Sequence, residues 1–255
     1  MVEPVTNNQN QTFDVIEVCL LAGKIMLRSG AETYRVEDTM MRIAAAFGIA
    51  DSHSYVTPTG IIFSVSSKTP TQLVRIVDRS TDLQKVAKVN GISRKISNGE
   101  LSVEEAYNQL KVIELDAHAY PIWVQIAAAS IASGCFLIMF QGTWSDFLPA
   151  VVAGGIGFSS LIYIHQLVEI KFFAEFLASL LIGLLSVFFV VLNIGTELDK
   201  IIIGSVMPLV PGLLITNAVR DLMAGHLVSG ISKGAEAFLT AFAIGAGVAV
   251  VFSFY

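Results

Sequence analysis

Apolar positions along this chain follow two rhythms. Up to about residue 118 they recur in short amphipathic patterns; beyond it they form runs about 20 residues long, enough to cross the roughly 30 Å hydrocarbon layer of a bilayer. Phe13 to Leu27 places Ile16, Leu20, Gly23 and Leu27 on one helical face and ends at Ser29-Gly30. Ser29-Gly-Ala-Glu32 matches the S-x-x-E capping box and predicts a second helix, with Val36, Met40, Ile43 and Phe47 as its buried face and Gly48 as its stop. Tyr55-Thr57, Ile61-Ser66 and Leu73-Val77 are β-branched and separated by Pro58-Thr-Gly60 and Lys68-Thr-Pro70, which predicts a three-stranded antiparallel sheet. A helical pattern returns from Thr81 to Ser97, and a second capping box at Ser102-Val-Glu-Glu105 opens another helix. Residues 13–118 therefore read as an α+β domain, preceded by a disordered lead over 1–12.

Residues 119–255 read as a five-span transmembrane domain: Pro121–Phe140, Phe147–Val168, Phe172–Asn193, Ile201–Val219, and about Gly234 to Tyr255. The second run carries Gly154, Gly155, Gly157, Ser159 and Ser160, small residues that let another helix approach closely. The class is thus a membrane α-helical protein with an N-terminal α+β domain.

Composition agrees, with 54% hydrophobic residues, 15% charged and a mean hydropathy of +0.67. Of 16 Lys and Arg, only Lys171, Lys200, Arg220 and Lys233 lie beyond residue 120. Lys171, Arg220 and Lys233 fall on the side of the basic first half and Lys200 opposite, so the positive-inside rule makes that half cytosolic and puts Tyr255 outside. The N-terminus lacks the basic and apolar regions of a secretory signal. A net charge of −5 spread over both halves gives no reason to expect nucleic acid. Cys19 and Cys135 make no framework, and a reduced compartment fits the first half. His53 and His118 lack ligands at i+3 or i+4, so neither metal nor cofactor is expected.

The chemistry concentrates between Pro208 and Glu236. Pro208 and Pro211 cannot donate to the carbonyls of Gly204 and Met207, and Gly212 adds freedom, so the fourth span should break there. The half-helix that follows presents N–H groups suited to a carboxylate. Asn217 and Asp221 are four apart on one face, and Arg220 adds a cationic fork. The plainer alternative is a kinked helix with Arg220 and Asp221 at the lipid interface, paired with each other or with headgroups. Glu175, Ser179 and Gly183 form a stripe on the third span, and Glu236, Thr240 and Gly247 one on the fifth. Asp221, Glu175 and Glu236 are the candidate proton carriers, although Glu175 and Glu236 can instead snorkel to the interface. His165-Gln166 reads as an interfacial cap. Glu32, Tyr34, Arg35 and Glu37, in the polar segment Ser29–Glu37, are candidates for a gate, the simpler alternative being that Glu32 caps and the others are solvated.

The α+β domain, Ser29-Gly-Ala-Glu-Thr-Tyr-Arg-Val-Glu37, the five spans, and Pro208-Leu-Val-Pro-Gly212 followed by Asn217, Arg220-Asp221, Gly225 and Gly-Ala-Glu236 together resemble the threonine/serine exporter family. The resemblance runs from about Phe13 to Tyr255. It implies gradient-driven export of small polar metabolites across a bacterial inner membrane. Longer members resemble this chain plus a second membrane half, so this chain looks like the large subunit of a split version, completed by a small multi-span membrane protein. Some split versions are linked to dicarboxylates such as succinate rather than to threonine and serine. The resemblance carries over Pro208, Pro211, Gly212, Asn217, Arg220 and Asp221 as the transport stretch, and Ser29–Glu37 less directly. Expected partners are that small protein, the lipid bilayer, a small anionic or zwitterionic solute and, as an open option, further copies in a higher oligomer.

Two other classes compete. A membrane-embedded enzyme lacks any G-x-S-x-G, H-E-x-x-H, phosphate loop or Cys-His constellation to support it. A sensor or scaffold on a passive anchor would not need two prolines, an asparagine and an Arg-Asp pair around one span.

Overall fold

The computed structural model describes residues 5–65, 69–116, 120–168 and 170–254, with side chains from Asp14 onward. Ser66, Lys68, His118 and Tyr255, each named above, lie outside the described residues. Contacts divide the chain into two compact units: 1–117 with 215–234, and 118–214 with 235–255.

The first unit is built around α1 (Val5–Arg28). This helix starts inside the stretch read as a lead and buries Val15, Ile16, Val18, Cys19, Leu21, Ala22, Ile25, Met26 and Leu27. Such wide burial makes it the core helix, with Asp14, Glu17 and Lys24 on its wetter stripe. Lys24 pairs with Glu114 at 2.8 Å, and the Tyr107 hydroxyl donates to Glu17 at 3.0 Å, tying α1 to α4 (Val103–Leu115). Inside α1 the Cys19 thiol is fully buried, which pushes it up to about 12 and leaves it inert as a nucleophile.

Helix α2 (Thr33–Ala46) buries the predicted face Val36, Met40 and Ile43 and ends before Gly48, whose φ of 86° is the left-handed turn that favours glycine. The sheet is antiparallel in the order β1 (Ser52–Thr57), β2 (Gly60–Val65), β3 (Gln72–Arg75), with Tyr55 opposite Ile62 and Ile61 opposite Val74. Val56, Ile61, Phe63 and Val65 pack into the same core as α1, α2, α3 (Leu83–Ser97) and α4. The second capping box is present: Ser102 Oγ accepts from the Glu105 N–H, and the Glu105 carboxylate accepts from the Ser102 N–H. The first is not. Glu32 is the N-cap of α2, no side chain caps it, and its carboxylate is drawn to arginines instead.

The second unit is helical. Helices α5 (Ile122–Met139), α6 (Phe147–Leu167), α7 (Lys171–Val191) and α10 (Leu227–Phe252) are long and apolar enough to cross a membrane. A fifth crossing is made if α8 (Leu198–Val206), which runs on as a 3-10 turn to Leu209, is joined with α9 (Gly212–Met223), a pair bent by 62°. The break falls at Val210-Pro211, as the prolines predict. Helix α10 starts earlier than read, at Leu227, because the glycines at 230 and 234 sit inside it without ending it.

Small residues set this packing. A Cβ on Gly154 would meet Ser133 Oγ of α5 at 2.0 Å, and one on Gly157 would meet Ile182 of α7 at 2.3 Å. Helix α6 therefore touches both neighbours through glycine, as its composition predicts. At the turn before α6, buried Asp146 accepts from the Thr196 N–H (2.6 Å), the Glu197 N–H (3.0 Å), Thr196 Oγ1 and Thr143 Oγ1 (2.9 Å each). Three of these four donors, those of Thr196 and Glu197, join the 143–146 turn to the 196–197 turn.

Helices α7 and α10 also meet through a glycine. A Cβ on Gly247 would sit 2.1 Å from Ser179 Oγ and 2.5 Å from the Phe176 carbonyl oxygen, whereas one on Gly245 would meet nothing within 4 Å. Gly247→Ala should therefore cost about 1–3 kcal/mol through overpacking, and Gly245→Ala should be tolerated. Thermal unfolding of the two variants in detergent, side by side, checks this.

Candidate functional site

Two adjoining pieces of chain build the site in the first unit: residues 29–37 at the start of α2, and the hairpin formed by the end of α9 and the start of α10. The hairpin turns at Gly225, whose φ is 86°, and is closed by the His226 N–H donating to the Asp221 carbonyl at 2.9 Å. Gly230 lets α10 lie against α9, since a Cβ there would fall 2.5 Å from Leu222.

Asp221 is fully buried. Its Oδ1 accepts the Thr33 N–H at 2.9 Å, and its Oδ2 accepts Thr33 Oγ1 at 2.9 Å and Lys233 Nζ at 2.7 Å. Lys233, itself 4% exposed, also lies 3.2 Å from Thr33 Oγ1 and 3.5 Å from the Ala31 carbonyl. A buried carboxylate needs its charge and its lone pairs matched, and here one lysine and one threonine do both. Asn217, one turn before Asp221, donates Nδ2 to the Gly30 carbonyl at 2.8 Å. Arg220 and Asp221 are not paired with each other.

Arg220 pairs with Glu32 at 2.5 Å, and Arg35 lies 3.5 Å from the other Glu32 oxygen. Glu32 is buried, while the Arg220 side chain keeps 53% of its surface exposed. Burial pushes the Glu32 carboxyl up, but a hydrogen bond from its own N–H and the two arginines outweigh it and hold Glu32 below its ordinary value of 4.5. Glu37 accepts the Val56 N–H at 2.7 Å and lies 3.8 Å from His226 Nδ1. Its burial, reinforced by the Asp221 charge, prevails over that hydrogen bond and over His226 and raises it above 4.5. Ser229 Oγ donates to the Val56 carbonyl, so the hairpin also meets β1. Tyr34 is half-buried.

The sequence reading thus named Asn217, Arg220, Asp221, Glu32, Arg35 and Glu37, and the fold of the first unit brings them together. It treated Lys233 only as a topological charge and did not single out Thr33. A lysine ten residues past Met223, in an otherwise apolar helix, was the available signal for the first; nothing local marks the second.

In the second unit, Pro208 lies in the 3-10 turn, Pro211 is half-buried at the break, and Gly212 opens α9 with open space where a Cβ would point. The two polar stripes on α7 and α10 face each other. Thr240 Oγ1 donates to Glu175 Oε1 at 3.3 Å, Lys171 Nζ lies 3.1 Å from Glu236 and 4.0 Å from Glu175, and Ser179 lies against Gly247. Glu175 does not snorkel, being 4% exposed.

A bundle of four apolar helices and a broken fifth, with charged groups at their margins, defines a multi-span membrane protein of the transporter class. Residues 17–255 match the family described as "Putative threonine/serine exporter", and the chain belongs to that family of transporters, which are not enzymes. Relatives share about a quarter of its residues. It is 25% identical over 236 residues to the "Probable threonine/serine exporter" of Mycobacterium tuberculosis, covering 90% of this chain but 44% of that protein. It is also 25% identical over 255 and 257 residues to the proteins named "Probable succinate transporter subunit YjjP" from Klebsiella aerogenes and Escherichia coli, covering 94% of this chain and 94% of each. No solved structure matches it.

Removing one partner of the buried pair should be costly. Lys233→Met should lower stability by about 3–5 kcal/mol by stranding Asp221, and Asp221→Asn in the same chain should recover part of it; unfolding in detergent reports both. The two glutamates should move stability in opposite directions with pH. The Glu32 contribution is present above 4.5 and is lost as pH falls through its lowered value, whereas the Glu37 contribution is full below 4.5 and is lost as pH rises through its raised value. Melting temperature against pH should therefore fall off less on acidification in Glu32→Gln, and decline less on the rising limb above 4.5 in Glu37→Gln, than in the wild type.

Proposed function

We propose that this chain is one subunit of a secondary active exporter of small carboxylate-bearing metabolites, seated in a bacterial inner membrane with its N-terminal domain in the cytoplasm. The observation that carries the reading is the break at Val210-Pro211, in an apolar run that otherwise would span without interruption. An interrupted span lets backbone groups serve a polar solute at membrane depth, where a continuous helix has none to spare.

Arg220 is the carboxylate-recognising group in this reading. Its guanidinium already holds one carboxylate, that of Glu32, and retains exposed surface for another. Glu32 and Arg35 then act as the gate, with Glu32 occupying Arg220 until a substrate carboxylate exchanges with it. Asn217 orients the 29–31 segment through Gly30, and Tyr34 and Glu37 complete the polar wall. Pro208, Pro211 and Gly212 provide the bend. Asp221, Glu175 and Glu236 are the carboxyl groups available for proton exchange.

The substrate is of the threonine/serine type by family, or a dicarboxylate such as succinate. The relatives named as succinate transporter subunits, matched over 94% of this chain, support the second. Their description as subunits supports a partner, in this reading a small multi-span membrane protein that supplies the second half. A membrane-anchored sensor or scaffold would leave the bend and the Arg220–Glu32 pair without a task.

Vesicles reconstituted with the chain and its co-purified membrane partner test the reading through exchange of labelled threonine, serine and succinate. Arg220→Ala should reduce exchange of the accepted solute about 10- to 100-fold, as loss of a charge-assisted hydrogen bond to a carboxylate implies. Unchanged exchange of every accepted solute would sink the role given to Arg220. Gly212→Ala, whose added Cβ points into open space, should keep the melting temperature but lower transport by stiffening the bend.

A further inference from the structure

The three carboxyl groups available for proton exchange are not in equivalent surroundings. Asp221 has a donor on each oxygen and the buried cation Lys233 beside it. Its charge is matched and both its oxygens have donors. Glu236 is paired with Lys171 at 3.1 Å and has 23% of its side chain exposed, so water can solvate it.

Glu175 differs from both. It is 4% exposed, one turn inside α7, and its Oε1 receives only the Thr240 hydroxyl at 3.3 Å. Its Oε2 is buried with no hydrogen-bond partner among the described residues. Among those residues the charged and titratable groups facing it are Lys171 on its own helix, Glu236 on α10 and His165 on α6. Lys171 brings one positive charge to two carboxylates and stands nearer to Glu236, 3.1 Å against 4.0 Å. One cation cannot neutralise both, and the carboxyl left over in an apolar layer needs a proton.

We propose that Glu175 is the proton-carrying carboxyl of this chain and that Lys171 is the cation that loads and unloads it. A proton binds at Oε2 while Lys171 stays on Glu236. When Lys171 Nζ closes the 4.0 Å gap to Glu175, the ammonium replaces the proton, which leaves, and Glu236 turns to water. With the proton bound the cluster is neutral, one proton and one ammonium facing two carboxylates; once the proton leaves it carries one net negative charge, which rests on Glu236 where water can reach it. The use of this proton to drive export rests on the reading above; its presence on Glu175 does not.

The test treats the purified chain in lipid nanodiscs with dicyclohexylcarbodiimide, which reacts with protonated carboxyls in apolar surroundings, and maps the adducts by peptide mass spectrometry across pH. Glu175 should be modified at least about tenfold more than Asp221, the ratio one pH unit of proton affinity provides, and the adduct should decline as pH rises. Glu175→Gln should lose it. Lys171→Gln should carry the Glu175 adduct to higher pH, because no ammonium then competes with the proton for Glu175. An unmodified Glu175 at every pH, modification no greater than that of Asp221, or a Lys171→Gln pattern identical to the wild type would each overturn the assignment. In the vesicles, Glu175→Gln should abolish accumulation driven by a pH gradient. A wild type that exchanges solute while Glu175 never reacts overturns the proton site alone. A reactive Glu175 in a wild type that moves none of threonine, serine or succinate overturns the export reading and leaves the proton site standing.

Discussion

A buried charge tolerates very little freedom in what surrounds it, and Asp221 is the charge on which the first unit depends. Its oxygens hold the first residue of α2 through Thr33 and the middle of the α9–α10 hairpin through Lys233, and its carbonyl closes the hairpin turn through His226. Segments nearly two hundred residues apart are joined at one carboxylate. The Glu32–Arg220 pair, the Asn217–Gly30 bond and the Glu37–Val56 bond lie around it and inherit its register.

Local rules read much of this chain correctly because most of its elements are local. The amphipathic faces of α1 and α2, the three strands, the cap at Ser102 and the proline break each follow from residues within a few positions of one another. The instructive failure is at Ser29. The S-x-x-E spacing there is the same as at Ser102, yet only Ser102 caps. Glu105 has no nearby arginine and folds back on its own helix, whereas Glu32 has Arg220, 188 residues on, and a charge-assisted pair outcompetes a neutral cap. Spacing holds no record of such a partner. For the same reason Lys233 counted only toward topology, and the paired stripes on α7 and α10 could be listed but not matched.

The second unit handles polar groups in two ways. Most are satisfied on their own helix, as Ser133, Ser159, Ser160 and Ser186 do by donating to the carbonyl four residues back. That leaves their helices free to touch through glycine. Asp146 is satisfied by three donors of a neighbouring turn and one of its own. Glu175 stands outside both schemes, and in a layer where each unmet polar atom is expensive, an exception of that kind marks a group that trades partners.

Asp146 has a mechanical consequence as well. Its bonds fasten the 143–146 turn to the 196–197 turn, just past the last residue of α7, whereas Lys171 and Glu175 lie at the first. A helix of 21 residues is roughly 30 Å long. Three hydrogen bonds fasten one end and glycine packing against α10 fastens the other, so α7 is a strut rather than a hinge, and what moves at its acidic end is the Lys171 side chain set between two acids.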